Sequence, residues 1–180
     1  MTEHDSNAVL NLMDEANRLR FERPLEAREL YARAVNRCRE LEHQAALIKS
    51  LKGLGQIERD LGNTDVALSL YEEAVELCRQ QADLLLLAHT VRHVGDINQD
   101  LGRAELAEPC YREALSIYRN HEQTSPLDLA NTIRPFAILK EKAGETEEAS
   151  SLWAEARDLY AASNIAQGVA ECSRRLSRLE

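Results

Sequence analysis

Small and aromatic residues return along this chain at a fixed distance, and that period limits the folds open to it more than any other feature. Sliding the sequence against itself by 40 residues places Gly62 on Gly102, Ala67 on Ala107, Tyr71 on Tyr111 and Ala74 on Ala114. A further slide of 42 reaches Gly144, Ala149, Trp153 and Ala156, and a backward slide of 40 recovers Ala27, Tyr31 and Ala34. A period of this size marks stacked supersecondary units, each of which buries its apolar face against its neighbours rather than in a single closed core.

Each unit reads as two helices. Val9, Leu12, Met13, Ala16 and Leu19 share one helical face, as do Ala27, Leu30, Tyr31, Ala34, Val35 and Cys38 after Pro24 has opened the next helix. Leu47, Leu51, Leu54, Ile57 and Leu61 form a third face that Gly62 ends. Asn63 or Thr64 is placed to cap a fourth helix, whose inner face is Val66, Ala67, Leu70, Tyr71, Ala74, Val75 and Cys78. Continuing in this register, the spacing predicts helix pairs at about 5–41, 45–80, 83–119 and 127–162, after a frayed polar lead, within one domain covering 1–180. A ninth helix at 164–179, capped by Ser163 or Asn164, keeps the register of a first helix: Leu54, Val94, Phe136 and Leu176 form one series. Its other side carries Gln167, Glu171, Arg175 and Arg178, the polar face that the end of a repeat array needs. Only 4% of residues are aromatic and 7 are Gly, so almost no strand is expected.

The net charge of −9 opposes approach to phosphate backbones and argues against nucleic acid as a partner. The longest apolar run, Leu84 to Ala88, is far short of the ~20 residues of a membrane helix. The polar start also lacks a secretory profile, so a cytoplasmic chain is expected. Cys38 and Cys78 share their slot with Tyr118 and Tyr160, and Cys172 shares its slot with Ser50, Thr90 and Thr132, so these thiols read as packing residues. Cys110 has no Cys or His neighbour, and neither a disulfide framework nor a zinc site is expected.

The triplets Ala67-Tyr71-Ala74, Ala107-Tyr111-Ala114 and Ala149-Trp153-Ala156, with small residues at Gly55, Gly95 and Ala137 in the preceding helices, resemble the tetratricopeptide repeat family over nearly the whole chain. The period of 40 to 42 exceeds that family's usual ~34 and is similar to the repeats of kinesin light chains and many bacterial regulatory proteins. The resemblance implies an all-α, right-handed superhelical solenoid of four antiparallel helix pairs plus a C-terminal capping helix, with the first helices lining a concave groove. It implies no catalysis, and no triad order, phosphate loop or cofactor motif is visible.

On those first helices Lys52, Arg92, Arg134 and Arg174 recur at 40, 42 and 40 residues, with Lys49, Arg59 and His89 on adjoining faces. The segments 49–60, 89–100 and 131–142 hold seven Lys or Arg against five Asp or Glu, in a chain that is negative overall. Such a ladder, expected to be largely solvated, would focus a positive field on an acidic peptide. Lys52 also matches a Lys of the carboxylate clamp found in some family members, while Gln56 and Gly53 stand where its Asn residues would be. His89 and His93 lie one turn apart near Asp96 without a His-Glu-x-x-His pattern, and no metal is expected there. The peptide-binding residues expected are therefore Lys49, Lys52, Gln56, Arg59, His89, Arg92, His93, Asp96, Asn131, Arg134 and Arg174. The function this points to is an adaptor, monomeric or weakly self-associating, that presents a partly basic groove to an acidic protein segment. The alternatives are a ligand-gated sensor of a small anion or signalling peptide and a homo-oligomerising scaffold.

Overall fold

The computed structural model describes residues 3–179, with side chains described from Asn7 onward. Nine helices make up the described residues: α1 (Glu3–Leu19), α2 (Pro24–Glu40), α3 (Gln44–Asp60), α4 (Thr64–Gln81), α5 (Leu84–Asp100), α6 (Ala104–Asn120), α7 (Pro126–Lys142), α8 (Thr146–Ala162) and α9 (Ala166–Leu179). Odd-numbered helices up to α7 are the first members of hairpins and even-numbered helices the second. The first helix already runs at Glu3, ahead of the apolar stripe that begins at Val9; Met1 and Thr2, the rest of the expected polar lead, lie outside the described residues.

The chain divides into two compact units, 1–83 and 84–180. In the first, α1 packs on α2, α2 on α3 and α3 on α4; in the second, α5 packs on α6, α6 on α7, α7 on α8 and α8 on α9. The alanines of the repeat, Ala27, Ala34, Ala67, Ala74, Ala107, Ala114, Ala149 and Ala156, are fully buried at the helix crossings. Beside them the aromatics Tyr31, Tyr71, Tyr111 and Trp153 fill the space between helices, as large side chains flanking small ones do in close helix packing. Glycine in the first helices lets the rings come close: a Cβ on Gly55 would lie 2.9 Å from the Tyr71 ring and one on Gly95 3.0 Å from that of Tyr111.

Gly62, Gly102 and Gly144 end α3, α5 and α7 in the left-handed conformation, each in a three-residue connector. The caps differ in part from expectation. Asn63 stands at the N-cap of α4, but its amide turns back and donates to Glu58 Oε2 at 2.7 Å. Asn164 takes a left-handed turn after α8, and Ser163 stands at the C-cap of α8 with its hydroxyl donating to the Leu159 carbonyl. Val66, assigned by pattern to the inner face of α4, is 51% exposed. Ser125 does cap α7, accepting from the Asp128 N–H at 3.1 Å, with Pro126 behind it at the first helical position. No helix among the described residues is long and apolar enough to cross a membrane.

Candidate functional site

The polar residues predicted on α5 fall at positions i, i+3, i+4 and i+7, which gathers His89, Arg92, His93 and Asp96 on one stripe. The structure brings them together. Arg92 Nη1 donates to Asp96 Oδ2 at 2.9 Å, and Arg92 Nη2 lies 2.8 Å from His93 Nε2. A guanidinium has no acceptor, so His93 Nε2 must accept and its ring proton sits on Nδ1, which faces Asp96 Oδ2 at 3.5 Å. From α6, Tyr111 reaches across with its hydroxyl 3.0 Å from both Asp96 Oδ1 and Gln99 Oε1. The His89 ring lies 4.8 Å from that of His93. Burial pushes the Asp96 carboxyl up, but His93, Arg92 and Tyr111 outweigh it and hold the group below the ordinary aspartate range. Burial and the Asp96 charge push the Tyr111 phenol far above its usual value.

On α7, Arg134 is held differently. Its Nε and Nη2 form a two-pronged pair with both oxygens of Glu171 on α9, at 2.8 and 3.0 Å. The pair keeps the Glu171 carboxyl low, against its burial. Asn131 is exposed, and its Oδ1 accepts from the Tyr160 hydroxyl of α8 at 3.0 Å. Arg174 is exposed on α9. The predicted cations are thus not uniformly solvated: the Arg92 side chain is only 16% exposed and that of Arg134 is 42% exposed, because Asp96 of α5 and Glu171 of α9 pair with them.

In the first unit the predicted residues lie on α3. Lys49 is exposed, whereas Lys52 and Arg59 are half-buried and each engaged within the protein. Gln56 donates to Asp60 Oδ1 at 3.0 Å, and Asp60 also holds Arg20 at 2.7 Å. Gly53 lies against the Tyr31 ring. Among the described residues no three His, Cys, Asp or Glu side chains converge as a metal centre would require.

Periodicity of the apolar residues hid a buried polar slot. Glu58, Asn98 and Lys140 occupy one position of the repeat and all three are buried. Lys140, 3% exposed, places Nζ 2.8 Å from Glu108, 3.0 Å from both oxygens of Glu145 and 3.2 Å from Glu148. Arg112 of α6 completes the cluster on Glu108 and Glu148, and both cations lie within about 5.5 Å of the Phe136 ring. A second cluster joins Glu141, Arg175 and Trp153: Arg175 Nη1 bonds both carboxylate oxygens and the indole Nε1 donates to Oε2 at 3.2 Å. The sequence signal for the first cluster was present, since a polar residue recurs at 58, 98 and 140 inside apolar stripes.

Hairpins of near-constant length, crossings made of alanine and glycine, and aromatics from second helices that hydrogen-bond first-helix side chains define an α-helical repeat protein. Residues 16–80 and 93–121, together just over half of the chain, match the tetratricopeptide repeat, and the chain belongs to that family. Its fold is similar to a putative kinesin light chain with nearly identical repeats from Podosopora anserina, at a TM-score of 0.75 and 16% identity over 99% of this chain and 97% of that one. It is also similar to BtubC (BKLC) from P. vanneervenii, at a TM-score of 0.68 and 18% identity over 99% and 91% of the two chains. A third match is aspartyl phosphate phosphatase F from Bacillus subtilis, with a TM-score of 0.85 and 12% identity; this chain aligns over 96% of its length but spans only 45% of the phosphatase. Comparison with curated proteins returned no match. Repeats of this family are protein-interaction scaffolds, and an interaction or adaptor role is what the family gives this chain.

Proposed function

We propose that the chain is an adaptor whose first-helix faces take an acidic, extended segment of a partner protein. The observation that carries the reading is made in each unit by itself: the first bears the exposed Lys49 on α3, and the second bears Arg92 on α5, Arg134 on α7 and the exposed Arg174 on α9, the helix in first-helix register. In the second unit the guanidiniums are oriented before a partner arrives. Glu171 uses Nε and Nη2 of Arg134 and leaves its Nη1 donors for a second carboxylate. Holding a side chain in its binding geometry removes part of the ordering cost of association. Four free thiols suit a reducing, cytoplasmic setting.

The test is titration of a fluorescent acidic peptide at increasing salt. Exposed cations are the ones to reverse, because a Glu at Arg92 would face Asp96 in a largely dry site and would unsettle the fold. Lys49→Glu with Arg174→Glu is expected to weaken binding at least tenfold and to flatten the salt dependence. The matched double variant Arg79→Glu and Arg119→Glu, on second helices, is expected to change it little. Equal losses in both would reduce the effect to net charge; loss in neither would remove the proposal.

A further inference from the structure

Three of the four hairpins turn on glycine, with Gly62, Gly102 and Gly144 each in the middle of a three-residue connector. The first hairpin does not. Between α1 and α2 the connector is Arg20-Phe21-Glu22-Arg23, one residue longer, with no glycine and no left-handed residue, and the Arg23 N–H closes it on the Leu19 carbonyl at 2.7 Å. Of the two phenylalanines in the sequence, Phe136 is buried and Phe21 is 84% exposed. The exposed ring is nevertheless held in place. The Arg20 guanidinium lies over it, 5.0 Å from its centroid, and Arg20 is fixed in turn by Asp60 of α3 at 2.7 Å, whose other oxygen accepts from Gln56. Leu25, in the first turn of α2, adds a second apolar side chain at 58% exposure. Among residues 18–25, Arg20 pairs with Asp60 and Arg23 with Glu26. The exposed Arg18 and Glu22, one on each side of the ring in sequence, have no ion-pair partner among the described residues.

We infer that this α1–α2 elbow is a two-fold contact between two copies of the chain, with Phe21 at its centre. An apolar centre flanked by one unpaired cation and one unpaired anion is complementary to itself. A two-fold axis at the ring sets Arg18 of one copy against Glu22 of the second copy and the reverse, so a single operation satisfies both charges and covers both rings. A ring already fixed by Arg20 and Asp60 loses little freedom on docking, which suits it to be the anchor of the contact. An anionic lipid surface is a poorer occupant, because two of the three arginines in 18–25 are already neutralised and Glu22 would be repelled. Two apolar side chains and their flanking charges make a contact at the low end of interface sizes, below ~1,200 Å² in total, so the dimer is weak and forms as concentration rises. Its consequence is a doubled valency, by which a partner carrying two target segments is held more tightly than either segment alone. The contact stands independently of the acidic-partner reading.

Sedimentation velocity of the full chain over a concentration series reads the contact. Wild type is expected to shift from monomer towards dimer, and Phe21→Ser to weaken the association about tenfold or more, as loss of a central aromatic does. With the ring exposed, that substitution should leave the fold intact. The charges give the sharper test. Arg18→Glu alone sets acid against acid across the axis and Glu22→Arg alone sets base against base, so each variant by itself is expected to stay monomeric. An equimolar mixture of the two should recover a dimer, because the acids then come from one copy and the bases from the other, and recovery also shows that both variants are folded. A wild-type monomer up to about 1 mM, a dimer that Phe21→Ser leaves intact, or a mixture that associates no better than its components would each overturn the inference. So would a monomeric wild type that sediments with phosphatidylserine vesicles unless Phe21 is replaced, a result that assigns the ring to a lipid surface. Each of these outcomes leaves the adaptor reading standing, since the peptide titration is read separately.

Discussion

Lys140 is a buried charge that three carboxylates neutralise from one side, and its removal shows what such an arrangement is worth. Lys140→Met keeps the stem's packing but removes the one cation that joins Glu108, Glu145 and Glu148, leaving Arg112 on Glu108 and Glu148 and none of the cluster's cations on Glu145. Breaking a buried pair in this way costs about 3 kcal/mol, the lower end of the usual range because the three acids can turn to water. Urea unfolding at neutral pH reads it directly. The same groups set the acid response. The Lys140 hydrogen bond, outweighing burial and helped by Arg112, holds Glu108 below the ordinary glutamate range; Arg134 does the same for Glu171. A carboxyl lowered in the folded state stabilises fully above its unfolded value of ~4.3, and that contribution is lost as pH falls through the lower folded value. Stability should therefore hold from neutral pH to the top of the carboxylate range and then decline. Lys140→Met should show a shallower decline because Glu108 has lost the partner that lowered it, and a decline as steep as wild type would refute this account of Glu108.

Helix number, order and face were readable from spacing because a repeat states each rule several times. Ala67, Ala107 and Ala149 each mark a crossing, and Gly62, Gly102 and Gly144 each mark an end, so one ambiguous helix is corrected by its counterparts. What spacing could not show is where long polar side chains go. Arg92 and Arg134 occupy the slot predicted for a solvated ladder, yet Asp96 lies one turn away on the same helix and Glu171 arrives from α9, 37 residues later. Cap chemistry failed for a related reason: Asn63 had two partners within reach, the helix end and Glu58, and the buried carboxylate won. The ninth helix was legible as a cap by register, and the structure gives it three attachments. Cys172 is fully buried, Gly168 lets the Tyr160 ring approach, and Glu171 and Arg175 bond to α7. Deleting 165–180 strips the cover from α8 and releases Arg134 and Glu141 together. The truncated chain should aggregate or melt more than about 10 °C lower, since ~1 kcal/mol moves a chain of this size by 2–4 °C. An equally stable monomer in scanning calorimetry and light scattering would show that α9 is not a structural cap.

At the scale of the molecule, each compact unit has hydrophobic packing of its own. In 84–180 it is the packing of Tyr111, Ile133, Phe136, Trp153 and Tyr160, joined by the Lys140 and Glu141 clusters. Residues 84–180 expressed alone should therefore keep helical circular dichroism and melt in one cooperative transition; a noncooperative melt would mean that this packing is insufficient by itself. The two units also differ in what an optical or chemical probe would report. The sole tryptophan of the sequence, Trp153, is fully buried in the second unit with Arg175 over its ring, while two of the three buried thiols, Cys38 and Cys78, belong to the first and Cys172 to the second. Indole emission therefore follows the opening of one half, and thiol labelling at Cys38 and Cys78, told apart from Cys110 and Cys172 by peptide mass, follows the other. The chain carries a reporter of its own in each half, and whether the halves open together or in turn is measurable from indole emission and the masses of the labelled peptides.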